Sequence, residues 1–124
     1  MAAGKAKNLV VTILSVLLAL AFLSAGGMKL ASGDEAGLDF EEWGYPAWFA
    51  YLTGILEVAG AVLIVIPATR FYGATLLTFV MAGAIFTHVR SGQFGMVAPP
   101  VMLLALASIV AWAQCPCAKT RSAS

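Results

Sequence analysis

The sequence predicts an all-α fold: a transmembrane four-helix bundle, up-down and antiparallel, with both termini at the cytoplasmic face. Three observations carry this expectation. The first is composition: 61% of the 124 residues are hydrophobic and 10% charged, against about 25% charged in an ordinary soluble domain. The second is where the charges fall. Uncharged runs of 21, 19 and 28 residues separate Lys7 from Lys29, Arg70 from Arg90, and Arg90 from Lys119, and about 20 apolar residues suffice to cross a bilayer as a helix. The third is a further apolar stretch at 47–66, broken only by Glu57. One membrane domain accounts for the whole chain.

The elements follow in order. Helix 1 is expected at about 8–30. Its basic start and small residues near Ser24–Gly26 resemble a secretion signal, but its apolar run of about 20 residues exceeds the 7–15 of a signal core. Residues 31–46 carry Asp34, Glu35, Asp39, Glu41 and Glu42 with interspersed glycines. They read as a solvated outer loop with at most a short interfacial turn at LDFEEW. Trp43, Tyr45 and Trp48 stand where the chain re-enters the membrane, as an aromatic belt would. Helix 2 is expected at about 47–66, opened by Pro46 and stopped by Pro67. The short connection PATR makes it an antiparallel neighbour of helix 3, at about 71–89. SGQFG turns the chain into helix 4, at about 97–114, with a tail at 115–124.

An even number of spans puts both ends on one side. With that side cytoplasmic, Lys5, Lys7, Arg70, Lys119 and Arg121 lie inside and Lys29 and Arg90 outside, in accord with the positive-inside rule. A net charge of +1 with no basic stripe gives no footprint for nucleic acid.

Glu57 is the candidate centre of function. At ~100° per residue, Ala50, Thr53, Gly54, Gly60, Ala61 and Ile64 share its face, while Leu52, Ile55, Val62 and Ile66 point the other way. Small residues mark faces where membrane helices approach and bulky aliphatics suit lipid, so the acid is expected to face the bundle, roughly 16 Å past Pro46. An ionisable group at such depth costs a few kcal/mol and marks a ligand or proton site by default; the competing reading is an interhelical hydrogen bond. The available partners are Lys29 at the end of helix 1 and His88 and Arg90 at the end of helix 3. The last two lie ~200° apart on a helix. His88 shares its side with Gly73, Ala74, Leu77, Met81 and Ala84 and is expected to face inward. Arg90 shares its side with Tyr72, Phe79 and Phe86 and is expected to snorkel. Glu57 and His88 are thus the candidate proton-handling, catalytic groups, with Lys29, Thr53, Gly54 and Arg90 as candidate ligand contacts.

Helix 4 ends in AWAQCPCAKT. Cys115 and Cys117 are weak metal candidates, since two thiolates could hold Cu(I) but fall short of tetrahedral zinc. A disulfide between positions two apart is disfavoured, and a reactive pair would need a cation such as Lys119. The simplest reading is a helix stop with two inert thiols and no metal.

Three stretches, GGMKL at Gly26–Leu30, GILEVAGAVLIVIPATRFYGA at Gly54–Ala74 and AIFTHVRSGQF at Ala84–Phe94, resemble the DoxX/DoxX-like family of small four-helix membrane proteins. The likeness covers helices 1 to 3. It implies a four-helix bundle in the bacterial cytoplasmic membrane and a redox role. Relatives are subunits of a quinone-reducing thiosulfate oxidoreductase, anchors of oxidative-stress complexes, or assembly chaperones. By position it carries over Lys29, Glu57 and His88 or Arg90.

Three functions are then open. The first is a redox-linked membrane subunit binding a quinone or similar apolar ligand, at most part of an oxidoreductase. Glu57 would move protons, and Lys29 and His88 would polarise carbonyl oxygens. One histidine makes no bis-His haem pair, and the sequence has neither an iron–sulfur cysteine set nor a dinucleotide loop, so electrons would come from a partner protein. The second is a non-catalytic accessory subunit that docks on a larger complex or on its own copies. The third is a metal or ion pathway through Cys115 and Cys117. A cavity beside Glu57 favours the first; a solid core favours the second.

Overall fold

A computed structural model describes residues 2–115, all-helical with no strand among them. Five α-helices follow in order: α1 Ala2–Ala31, α2 Gly33–Glu42, α3 Phe49–Val65, α4 Arg70–Arg90 and α5 Ala98–Ala113. Short 3-10 turns at Pro67–Thr69 and Phe94–Met96 lead into α4 and α5. Three helical stretches, Gly4–Ala31, Pro67–Arg90 and Phe94–Ala113, are long and apolar enough to cross a membrane. At 17 residues α3 is shorter, about 25 Å at 1.5 Å per residue.

The expected acidic loop is corrected. Residues 33–42 form a ten-residue helix, with Asp34 and Glu35 in its first turn, where carboxylates oppose the positive end of the helix dipole. Gly33, Gly37 and Phe40 make up its buried stripe. A Cβ on Gly33 would collide with the Tyr51 ring, and one on Gly37 would lie 3.0 Å from the Ala47 Cβ. These two glycines let α2 lie flat across the start of α3.

Glycine also sets the two main crossings. Where α1 meets α3, a Cβ on Gly26 would stand 2.8 Å from the Gly54 carbonyl oxygen, and one on Gly54 would stand 3.0 Å from that of Gly26. Where α3 meets α4, a Cβ on Gly73 would come within 2.5 Å of the Ile64 nitrogen. Between helices in lipid, such close backbone approach is what dispersion and packing can exploit. So α3 lies between α1 and α4, α5 packs on α4, and α1 meets α5 to close the ring. Lys7 over the Trp112 ring, at 6.0 Å, marks that seam.

Val11, Leu18, Phe22, Ile64, Leu77, Met81 and Val110 fill the core. The bulky residues assigned to lipid, Leu52, Ile55 and Val62 on α3 and Ile66 just after it, are exposed, as are Tyr72, Phe79 and Phe86 on the Arg90 side of α4. Several hydroxyls within the helices return to carbonyls one turn back, as Ser15 does to Val11 at 2.7 Å and Thr78 to Ala74 at 2.7 Å, which satisfies them without water.

Pro67 ends α3 and leaves carbonyls without partners. Arg70, 6% exposed, supplies donors for them. Its Nε donates to the Ile64 carbonyl at 2.8 Å and an Nη donates to that of Val65 at 3.1 Å. Thr69 Oγ1 donates to the Leu63 carbonyl at 2.8 Å. Arg70 is therefore a C-cap for α3 as well as a cation at that end of the bundle.

Candidate functional site

Glu57 sits in the middle of the small-residue face of α3 and is 1% exposed. The Gly26–Gly54 crossing brings the last turn of α1 alongside it. Lys29 Nζ reaches Glu57 Oε1 at 2.7 Å, with the lysine side chain 28% exposed and the glutamate 2%. The contact is an ion pair at hydrogen-bond distance, and Oε1 has no partner besides Lys29. A buried carboxylate held by one cation and little else keeps its capacity to take another donor.

Beside the pair lies a cavity of about 370 Å³, within the size range of small-molecule sites. Its polar groups are few: Lys29, Glu57, Thr53, Thr87, His88 and the Tyr45 hydroxyl. The rest of the wall is apolar or aromatic, with Phe40, Trp43, Phe49 and Leu56 on one side and Phe79, Met81 and Phe86 on the other. Phe79 and Phe86 are 72% and 62% exposed on α4. The cavity therefore opens sideways, between α3 and α4, on the surface that carries the lipid-type residues.

The segment after α2 roofs the cavity. Trp43 and Tyr45, expected to stand in an interfacial belt, turn onto the cavity wall, whereas Trp48 remains 59% exposed. Tyr45 Oη shares a 2.9 Å hydrogen bond with Thr87 Oγ1. The Trp43 ring meets His88 edge-on at 5.3 Å. Arg90 donates to the Trp43 carbonyl and lies 5.0 Å over the Tyr45 ring. Gly44, at φ 90°, takes the left-handed conformation that this tight return needs.

The structure thus brings Lys29, Glu57, Thr53 and His88 to one cavity. His88 is half-buried, and its Nδ1 lies 2.9 Å from Gln93 Oε1, which fixes the ring. Two candidate contacts stand elsewhere. Gly54 belongs to the α1 crossing and not to the cavity wall, and Arg90 clasps the roof from outside. Phe40, Phe79 and Thr87 are wall residues that the sequence reading did not single out. The spacing of Gly33, Gly37 and Phe40 at i, i+4 and i+7 was the available signal for the first.

Cys115 ends the described chain in a disulfide bond, which corrects the reading of it as an inert free thiol or a metal-binding thiolate. Cys117, Lys119 and the rest of the tail lie outside the described residues. No cluster of three metal-ligating side chains occurs among the described residues.

Residues 13–110 match the DoxX-like family. An uncharacterised Bacillus subtilis protein, YdgD, is 32% identical over 103 residues, which cover 79% of this chain and 90% of that protein. No solved structure matches. With most of its length matched, including every residue of the ion pair and the cavity, the chain belongs to the DoxX-like family.

Proposed function

We propose that this protein is a four-span subunit of the bacterial cytoplasmic membrane that binds a quinone, or an apolar ligand of similar chemistry, beside Glu57. Both termini and Arg70 lie on the cytoplasmic side, and α2 lies on the outer side. The excess of Lys and Arg near the termini supports this orientation. Flanking turns at Pro46–Trp48 and Pro67–Thr69 extend α3 enough to serve as the fourth span.

One observation carries the reading: a mainly apolar cavity with six aromatic residues on its wall ends on the buried Glu57 carboxylate and its Lys29 partner. A ligand that partitions into lipid would enter through the gap between α3 and α4 without crossing water. A quinone head has a flat ring to stack on Phe and Trp faces and carbonyl oxygens to accept from the Lys29 ammonium. Reduction adds a proton at each oxygen, and a buried acid and an imidazole on the same wall are suited to supply them. Electrons would come from a partner protein. A cavity at this place also speaks for a ligand-binding subunit over one that only packs against a larger complex.

The test is a titration of the protein in lipid nanodiscs with a short-chain quinone, read by quenching of tryptophan fluorescence. Glu57→Gln, which keeps shape and loses the charge, is expected to weaken binding about tenfold, the worth of one charge-assisted hydrogen bond, with helix content unchanged. Equal binding by wild type and variant, or no binding by either, would end this reading.

A further inference from the structure

A second cavity, of about 340 Å³, lies between α1 and α2. Met28, Ser32, Glu35 and Asp39 on its wall are exposed, so it is a vestibule open to water on the α2 side. Three residues line both it and the cavity beside Glu57: Lys29, Phe40 and Trp43. These three side chains are the partition between the two spaces. Two of them are aromatic and have no titratable proton. Only Lys29 can pass a proton from one side to the other.

We infer that Lys29 is a proton relay joining this acidic vestibule to Glu57, so that the buried acid exchanges protons with one face of the membrane only. The steps balance with one proton entering per proton delivered. The Lys29 ammonium gives a proton to the Glu57 carboxylate across the 2.7 Å contact, leaving an amine and a carboxylic acid. Water in the vestibule, held by Glu35 and Asp39, returns a proton to the amine. Glu57 regains its charge when it passes its proton to the ligand.

The surroundings favour this direction. From α1, Glu57 faces Lys29; from α4, His88 lines the same cavity; from the roof, Tyr45 does so with its hydroxyl engaged by Thr87. Glu35 and Asp39 face the vestibule from α2, and Arg90 is held outside by the Trp43 carbonyl. Among the described residues, Phe22, Leu18, Ile64 and Leu77, each about 1% exposed or less, pack the core on the side of Glu57 away from α2. A mouth lined by an ammonium and two carboxylates concentrates protons where the relay needs them.

The inference deepens the proposed function by assigning the source of its protons. Its test needs no quinone, so the two can fail separately. The protein is reconstituted with known orientation in phosphatidylethanolamine–phosphatidylglycerol vesicles. Dicyclohexylcarbodiimide, which enters from lipid and adds to protonated carboxyls, is then applied while the pH is changed on one side only. Modification at Glu57 is read by mass spectrometry. Lowering the pH by one unit on the α2 side should raise the rate by up to about tenfold, the change in proton activity. The same change on the other side should leave it constant. In Lys29→Arg, which keeps the cation but holds its proton too tightly to relay it, the α2-side response should be lost. Phe40→Ala opens the partition and should admit a water-soluble carbodiimide from the α2 side, to which the wild type is closed. A rate that follows the other face, or a Lys29→Arg variant that responds like wild type, overturns the relay. The wild-type measurement decides sidedness even if a variant fails to insert.

Discussion

Gly26 and Gly54 face one another across the α1–α3 crossing with no room for a methyl group between them: a Cβ on Gly26 would lie 2.8 Å from the Gly54 carbonyl oxygen. The ion pair one turn away depends on this approach. The Lys29 Cβ itself stands 3.2 Å from where a Gly54 Cβ would be. Two residues without side chains therefore set the distance on which the chemistry rests.

Gly26→Ala should force the two helices apart. The atom it meets is backbone, which cannot swing away, so the cost should resemble overpacking of a core, about 1–3 kcal/mol. Reversible unfolding in mixed micelles measures this loss. Gly27, the next residue and on the open side of the helix, has nothing within 4 Å of an added Cβ. Gly27→Ala should be neutral or slightly stabilising, since alanine is the better helix former. Equal effects at 26 and 27 would mean that the crossing is not as close as described.

Lys29→Met and Glu57→Gln test the pair by a double-mutant cycle. Removing the lysine alone strands a carboxylate that is 1% exposed, at a cost of about 3–5 kcal/mol for breaking a buried pair. Adding Glu57→Gln should restore much of that loss, because no unpaired charge then remains. The double variant is therefore expected to be more stable than Lys29→Met. Strict additivity would show that the two groups do not interact in the membrane.

Arg70→Ala should destabilise the opposite end of the bundle. It leaves the buried Ile64 carbonyl and the part-buried Val65 carbonyl without these donors, and an unpaired buried acceptor such as that of Ile64 costs about 1–3 kcal/mol. Arg70→Lys should recover only part, because an ammonium lacks the forked donors that reach two carbonyls at once. Neither variant should change quinone binding in the nanodisc titration, since Arg70 has no place on the cavity wall. A binding defect as large as that of Glu57→Gln would mean that the α3 C-terminus controls the site from a distance.

What the sequence revealed and what it hid have a common cause. Helical period placed Glu57 among Ala50, Gly54, Gly60, Ala61 and Ile64, and those residues are buried with it, because a long apolar span has one dominant periodicity. Lys29 was legible as a possible partner by scarcity, being one of three cations or imidazoles near that end, and by the resemblance that GGMKL carries. Helix α2 was hidden by its five-residue acidic content and by a buried stripe made of Gly33, Gly37 and Phe40, in which two positions carry no side chain to count as apolar. The roof was hidden too. Trp43 and Tyr45 have the composition of a membrane-interface belt, and only tertiary contacts with Thr87, His88 and Arg90 turn them inward.

The roof is the part of the site that these contacts make testable by dynamics. Tyr45→Phe removes the 2.9 Å hydrogen bond to Thr87 and leaves Thr87 satisfied by its own bond to the Gly83 carbonyl at 2.8 Å, so no buried group is orphaned. The loss should be about 1 kcal/mol and should appear locally. Arg90→Met removes the donor to the Trp43 carbonyl and the cation over the Tyr45 ring. Hydrogen exchange at 43–48 should quicken in each variant and most in the double variant, while α5 keeps its protection, because local opening involves only the contacts that are broken. Quinone dissociation should quicken in the same order, since Tyr45 and Trp43 form part of the wall. Faster exchange without faster dissociation would show that the ligand leaves through the gap between α3 and α4 without disturbing the roof.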